Sequence, residues 1–110
     1  MVDEIRRYLT ESGKDVVGEW LAGLNDAQAR ARIATRIARL EAGNFGDCKP
    51  VGEGVWELRI DWGPGYRVYY AIVGSEVILL LCGGDKRRQA ADIRRAAGHL
   101  KDYRRRTNAP

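Results

Sequence analysis

The sequence predicts an α+β fold: a helical hairpin packed on one face of a mostly antiparallel sheet, with a C-terminal helix closing the chain. Three observations carry that prediction. Apolar residues recur at helical spacing between residues 14 and 42, short alternating runs punctuated by glycine follow from 55 to 82, and a last helical pattern rich in arginine ends the chain. With 110 residues, 45% apolar and 31% charged, the chain can bury one core and is expected to form a single domain over 1–110.

Taken in order, Glu4 to Thr10 alternates imperfectly before a Ser-Gly pair and is expected to be a short edge strand. Ser12 followed by Asp15 has capping-box spacing, and Val16, Val17, Trp20, Leu21 and Leu24 then recur as a helix from Lys14 to Leu24. Asn25 and Gln28 suggest the cap of a second helix, so the loop between the two is short and the helices antiparallel. In that helix Ile33, Ile37 and Leu40 form the buried stripe and Arg32, Arg36 and Arg39 an adjacent basic one. Gly43 stops it by tolerating a left-handed backbone.

Three strands are then expected as a meander: Val55 to Trp62, Tyr66 to Val73, and Glu76 to Cys82, joined by Gly63-Pro64-Gly65 and Gly74-Ser75. A three-residue first loop would place Trp62 opposite Tyr66, Ile60 opposite Val68, Leu58 opposite Tyr70, Arg59 opposite Tyr69 and Asp61 opposite Arg67. Continuing the pairing puts Cys82 opposite Arg67. One face is then apolar and meets the hairpin; the other, bearing Glu57, Arg59, Asp61, Arg67 and Tyr69, is expected to stay open. The third strand is apolar on both sides, as befits the middle of a sheet. The closing helix presents Ile93, Ala97 and Leu100 on one face and arginines elsewhere.

The formal net charge of +4 hides a partition. Residues 1–45 hold seven basic and seven acidic side chains, 46–85 three and six, and 86–110 nine and two. A terminal quarter so rich in arginine suits phosphates or an acidic protein, although a solubilising tail has the same composition. No apolar run approaches the length of a membrane span, and the first ten residues mix acids and arginines where a secretory signal needs an apolar stretch, so a cytoplasmic location is expected. Cys48 and Cys82 lack the spacing of a zinc site or disulfide scaffold; both are taken as reduced thiols, and no metal is expected. Gly83-Gly84 has no phosphate-loop pattern around it, which excludes nucleotide hydrolysis on that basis. His99 is expected at the surface, and Trp20, Trp56 and Cys82 in the core.

The chemically loaded face is where a reaction would sit. Metal-free RNA cleavage needs a base for the 2′-hydroxyl, cations for the charge on the phosphate oxygens and an acid for the leaving 5′-oxygen. Glu57, Arg59, Arg67 and Lys86 offer those groups, with Arg87 beyond the third strand. The same residues would also serve as cross-strand ion pairs on a solvated face.

The stretch G-V-W-E-L-R-I-D-W-G-P-G-Y-R-V-Y-Y, followed by L-L-L-C-G-G-D-K, resembles the killer proteins of addiction modules, the HigB-like toxins of the RelE/ParE superfamily. The resemblance runs from the hairpin through R-I-A-R-L-E-A-G-N-F-G-D to the closing helix. It implies a toxin with a basic cleft, no cofactor, and a cognate antitoxin, expected to be a helix-turn-helix protein. Many relatives cut messenger RNA on the ribosome. By the resemblance, Arg67 in G-Y-R holds the scissile phosphate, Arg59 is a second basic strand residue, and Lys86 assists the leaving oxygen. Glu57 stands where some relatives carry a lysine base, and Asp92 where some carry a stacking tyrosine, a role left to Tyr66, Tyr69 or Tyr103. Arg87, Arg88 and Arg94 are the further residues expected to meet messenger or ribosomal RNA. The ParE branch shares the fold and poisons DNA gyrase instead, and a non-catalytic RNA-binding module is a third possibility, because fold alone does not decide function.

Overall fold

A computed structural model describes residues 4–74 and 77–107. Its elements are β1 (Glu4–Arg7), α1 (Val16–Ala22), α2 (Ala27–Glu41), β2 (Cys48–Gly52), β3 (Val55–Ile60), β4 (Tyr66–Val73), β5 (Val77–Asp85), a single 3₁₀ turn (Lys86–Arg88) and α3 (Gln89–Thr107). The five strands run in the order β1-β5-β4-β3-β2, antiparallel except for β1 beside β5. β1 is an edge strand as expected, but stops at Arg7 rather than Thr10; Leu9 instead bridges back to Asp15.

β2 is the strand that the pattern did not announce. Pro50 and Gly52 argue against a strand in general, yet an edge needs donors on only one side, so proline is tolerated there. Its hairpin to β3 turns through Glu53 and Gly54, both at positive φ (54° and 82°), the backbone that a tight two-residue turn requires.

Both later hairpins depart from the expected register. The β3–β4 pairs are Trp56–Tyr70, Glu57–Tyr69, Leu58–Val68, Arg59–Arg67 and Ile60–Tyr66, so β3 ends at Ile60 and the loop widens to Asp61–Gly65. The slip is two residues. Because strand side chains alternate with period two, an even slip leaves every residue on its predicted face. Between β4 and β5 the register starts one residue later than expected, with Val73 opposite Val77, and a bulge at Tyr69/Tyr70 that leaves Leu81 unpaired adds a second, so that Gly84, not Cys82, lies opposite Arg67. Past the bulge Cys82 joins Leu79 and Leu81 on one face, and Gly83 turns toward α1. The expected turn begins at Gly74 (φ 64°), while Ser75 and Glu76 lie outside the described residues.

The hairpin covers the face predicted for it. Val17, Ile33 and Leu40 pack on Leu58, Ile60, Val68, Tyr70, Ile78 and Leu80, with Trp20, Ile37 and Trp56 at the margin. Its caps differ from expectation: Asp15, not Ser12, accepts from the Gly18 amide at 3.0 Å, and Asp26, not Asn25, accepts from Gln28 and Ala29 at 2.9 and 3.2 Å. Each cap is the last extended residue before its helix, the position from which a carboxylate reaches the free amides.

The opposite face is not open. α3 lies across it, burying Ala96, Ala97 and Leu100 against Tyr69, Ala71, Leu79, Leu81 and Cys82. The two alanines let the helix axis approach the sheet. His99, expected to be exposed, is half-buried and stacked on Tyr8 at 4.5 Å between ring centroids. The end of α3 is held by a hydrogen bond from the Tyr8 hydroxyl to Asp102 at 2.5 Å and by ion pairs from Arg105 and Arg106 to the same carboxylate. Among the described residues no helix is long and apolar enough to cross a membrane.

Two glycines should respond oppositely to a methyl group. A Cβ on Gly83 would sit 2.2 Å from Cε3 of Trp20, so Gly83→Ala should lose ~1–3 kcal/mol by forcing the indole off its seat. Gly98 lies within α3 and faces open space, so Gly98→Ala should gain ~0.5–1 kcal/mol. Urea denaturation of both variants reads the difference. The α3 clamp should also weaken in acid. Burial, then Arg95, lowers the His99 pKa from 6.5, and the Tyr8 hydroxyl followed by Arg106 holds Asp102 well below the carboxylate range. Both folded-state values lie below the unfolded ones, so each contribution is present at neutral pH and lost as pH falls, His99 first. Amide exchange of residues 99–107, corrected for intrinsic rate, should accelerate below pH ~6.5, and His99→Gln should remove that first window.

Candidate phosphate-binding cleft

The ends of β3, β4 and β5 and the wide β3–β4 loop enclose a cleft of about 450 Å³ lined by Asp47, Arg59, Asp61, Gly63, Pro64, Gly65, Arg67 and Lys86. Three of the expected site residues, Arg59, Arg67 and Lys86, therefore share one opening. Arg59 and Arg67 are directly paired across β3 and β4, an arrangement of like charges that costs stability unless anions offset it. Asp47 stands 3.8 Å from the Arg59 Nε. Lys86 is brought in by its own backbone, whose amide donates to the Gly65 carbonyl at 2.9 Å, and Asp85 caps the turn that carries it. Gly65 is at φ 83°, and a Cβ there would lie 3.4 Å from Nη1 of Arg67 and 3.5 Å from Cβ of Lys86. A glycine at this point keeps the cleft floor clear.

Arg67 enters the cleft from the protein interior. Its side chain is only 9% exposed and its Nε lies 3.7 Å from Oε1 of Glu57, which is fully buried. The other Glu57 oxygen accepts from Nε2 of Gln89, the first residue of α3, at 2.6 Å. Tyr69, the cross-strand partner of Glu57, is also fully buried, and that burial together with Glu57 pushes its pKa up. Two expectations need correcting here. Glu57 lies behind Arg67 and cannot reach a substrate as a base, and Tyr69 offers no surface to RNA, because α3 roofs both residues. Arg67 donates from Nη1 to the Tyr66 carbonyl at 3.1 Å, while its Nε finds no hydrogen-bond partner among the described residues.

The remaining candidates lie beside the cleft rather than in it. Arg87 is exposed and pairs with Asp85 at 3.0 Å, which draws the Asp85 carboxyl below its usual range; Arg88 and Arg94 are exposed. Asp92 is buried under Gly84 and pairs with Arg95 at 3.0 Å, so this position supplies no stacking surface. Burial pushes the Cys82 thiol up to about 12, and it behaves as the core filler expected; both Cys48 and Cys82 are free thiols. Trp20 and Trp56 are only partly buried, at the rim of the core. Asp47 and Gln89 were missed. Asp47 precedes the unannounced strand β2, and Gln89 is marked by no pattern at all.

A small α+β chain with a cationic cleft at one end of its sheet is the setting for the relationships found. Residues 19–101 match the sequence profile of the family described as "Phage derived protein Gp49-like (DUF891)", a family of toxin–antitoxin toxins. The chain belongs to that family, and membership implies a cognate antitoxin as partner. It is 52% identical over 77 residues to an uncharacterized protein of Haemophilus influenzae, an alignment covering 70% of this chain and 78% of that one.

The burial of Glu57 predicts an asymmetry between two of the cleft cations, Arg67 and Lys86. Arg67→Ala should lose about 3 kcal/mol or more, because it strands a carboxylate in the interior, whereas Lys86→Ala, at an exposed position, should stay within about 0.5 kcal/mol. Placing Arg67→Ala in a Glu57→Gln background should recover much of the loss. A double-mutant cycle in urea measures the coupling, and additive losses would contradict the pairing.

Proposed function

We propose that this protein is the toxin of a toxin–antitoxin pair and acts as a HigB-like, RelE-type endoribonuclease on messenger RNA bound to the ribosome, thereby inhibiting translation. The observation that supports this most directly is the convergence of Arg59, Arg67 and Lys86 on one open cleft, with Arg67 held from behind by a buried carboxylate. A phosphodiester in the cleft would meet two guanidiniums suited to its non-bridging oxygens. Lys86 would neutralise or protonate the leaving 5′-oxygen. Of the carboxylates reachable from solvent, Asp47 is engaged by Arg59, which leaves Asp61 to accept the 2′-hydroxyl proton. Glu57 in this reading is a positioning residue for Arg67 and never contacts the RNA.

The arginines beyond the cleft, Arg87, Arg88 and Arg94, extend positive potential toward ribosomal RNA, and the antitoxin, a helix-turn-helix protein in this reading, would mask the same surface. Cations fixed before substrate arrives need no reorganisation as charge develops, and removal of one such group typically lowers turnover by ~10²–10³.

Induced expression should arrest growth with translation falling and plasmid supercoiling unchanged. Arg59→Ala and Lys86→Ala should both relieve the arrest and remain folded, and ribosome-bound messenger RNA should be cut by wild type only. DNA breakage with intact translation would replace this reading with a gyrase poison. Salt-dependent RNA binding without cleavage would reduce it to a non-catalytic module.

A further inference from the structure

The arginine stripe of α2 is not used by the cleft, yet it is joined to it. A second groove, of about 610 Å³, runs along the outer side of α2 past Gln28, Arg32, Thr35, Arg36 and Arg39, and reaches Asp61, which lines the cleft as well. Arg36 ties the two together, because its Nη1 donates to the Arg59 carbonyl at 2.7 Å. The grooves therefore form one track around the end of β3.

Two properties of this track point to a ligand. First, Arg32, Arg36 and Arg39 make no ion pair with any carboxylate among the described residues, although surface arginines elsewhere do, at Glu4, Asp85 and Asp102. Asp61 is the one acid lining the groove, against three arginines. Second, the guanidinium of Arg32 sits 3.9 Å from the centre of the Trp62 ring, and that indole is anchored by its Nε1 donating to Asp26 at 3.1 Å. A guanidinium seated on a fixed indole gives an unpaired base a flat, cationic surface to stack on.

We propose that the α2 groove is a binding track for single-stranded RNA, holding the nucleotides that flank the phosphate in the cleft. Arg39 and Arg36 neutralise successive phosphates, and the Arg32–Trp62 stack receives a base. The proposal rests on the RNA reading of the cleft and deepens it. An acidic protein segment would also be drawn to three arginines, but continuity with the cleft and the anchored aromatic favour a nucleic acid strand.

The test uses two fluorescent 2′-O-methyl oligoribonucleotides, which lack the attacking hydroxyl and are not cut: one of about 12 nucleotides, long enough for cleft and track, and a trinucleotide that fills the cleft alone. The variant is Arg32→Gln/Arg39→Gln, leaving Arg36 on its carbonyl, with an unchanged thermal melt as the control for folding. The long oligonucleotide should bind the variant about tenfold more weakly, with the salt slope reduced by about 0.7 for the one phosphate contact of Arg39, and the trinucleotide should bind as it does to wild type. Lys86→Gln should weaken both. Equal binding of the long oligonucleotide by variant and wild type overturns the track while leaving the cleft reading intact. Failure of wild type to bind either oligonucleotide overturns both. Loss of antitoxin co-purification in the variant, with RNA binding unchanged, overturns the track by assigning this face to the protein partner.

Discussion

The buried pair of Glu57 and Arg67 is the constraint on which the other parts of this structure depend. A carboxylate with no exposure is tolerated in a protein interior only if cations and donors surround it. Here the guanidinium comes from β4, the amide from the first residue of α3, and the carboxylate from β3. One group thus fixes strand against strand and helix against sheet. The geometry is imperfect: Oε1 of Glu57, Nε of Arg67 and the Tyr69 hydroxyl lack hydrogen-bond partners among the described residues. Incomplete satisfaction next to an open cleft is characteristic of sites that sacrifice stability for a poised group. Arg67 also lines the open cleft, so the pair joins the interior to that opening.

Most of the architecture was legible from period and punctuation. The helix pair, the meander, the edge position of β1 and the identity of the face under the hairpin all follow from spacing, and a two-residue slip left those faces unchanged. The second face is not open, and β5 itself requires a cover there, since Ile78 and Leu80 look one way and Leu79 and Leu81 the other. The amphipathic last helix was the remaining element able to supply it. Glu57, Arg67 and Tyr69 misled because their polarity reads as solvation, and a sequence does not distinguish a polar residue facing water from one facing another polar residue. The site was legible to the extent that three of its cations were named; Asp47, Gln89 and the depth of Glu57 depend on β2, on the start of α3 and on the bulge, none of which has a strong local signature.

Where α3 begins decides where the cleft lies. The helix roofs the sheet from Gln89 onward, and the 3₁₀ turn before it, capped by Asp85, carries Lys86 out to the rim. The same roof that buries Glu57 and Tyr69 leaves Arg59 at the surface, with a side chain 40% exposed. A shift in the start of the helix would move Lys86 out of the cleft and detach Gln89 from Glu57 together, so the exposed cation of the cleft and the amide behind the buried pair are linked through a single backbone segment.

That linkage bears on what an antitoxin must do. In the proposed reading, covering the cleft is one way to silence the protein, and it requires competing with a polyanion for exposed, solvated charges whose individual contributions are small. Loosening the first turn of α3 is a second way. It would release the Gln89 amide from Glu57 and leave that buried carboxylate with the Arg67 guanidinium alone. A partner acting there would need to offset the burial of Ala96, Ala97 and Leu100 against the sheet, but only locally, because the far end of α3 is separately held through Tyr8 and Asp102. The last helix is therefore held at each end as well as along its apolar middle, and the attachment at its N-terminal end, Gln89 on Glu57, is the one that adjoins the cleft.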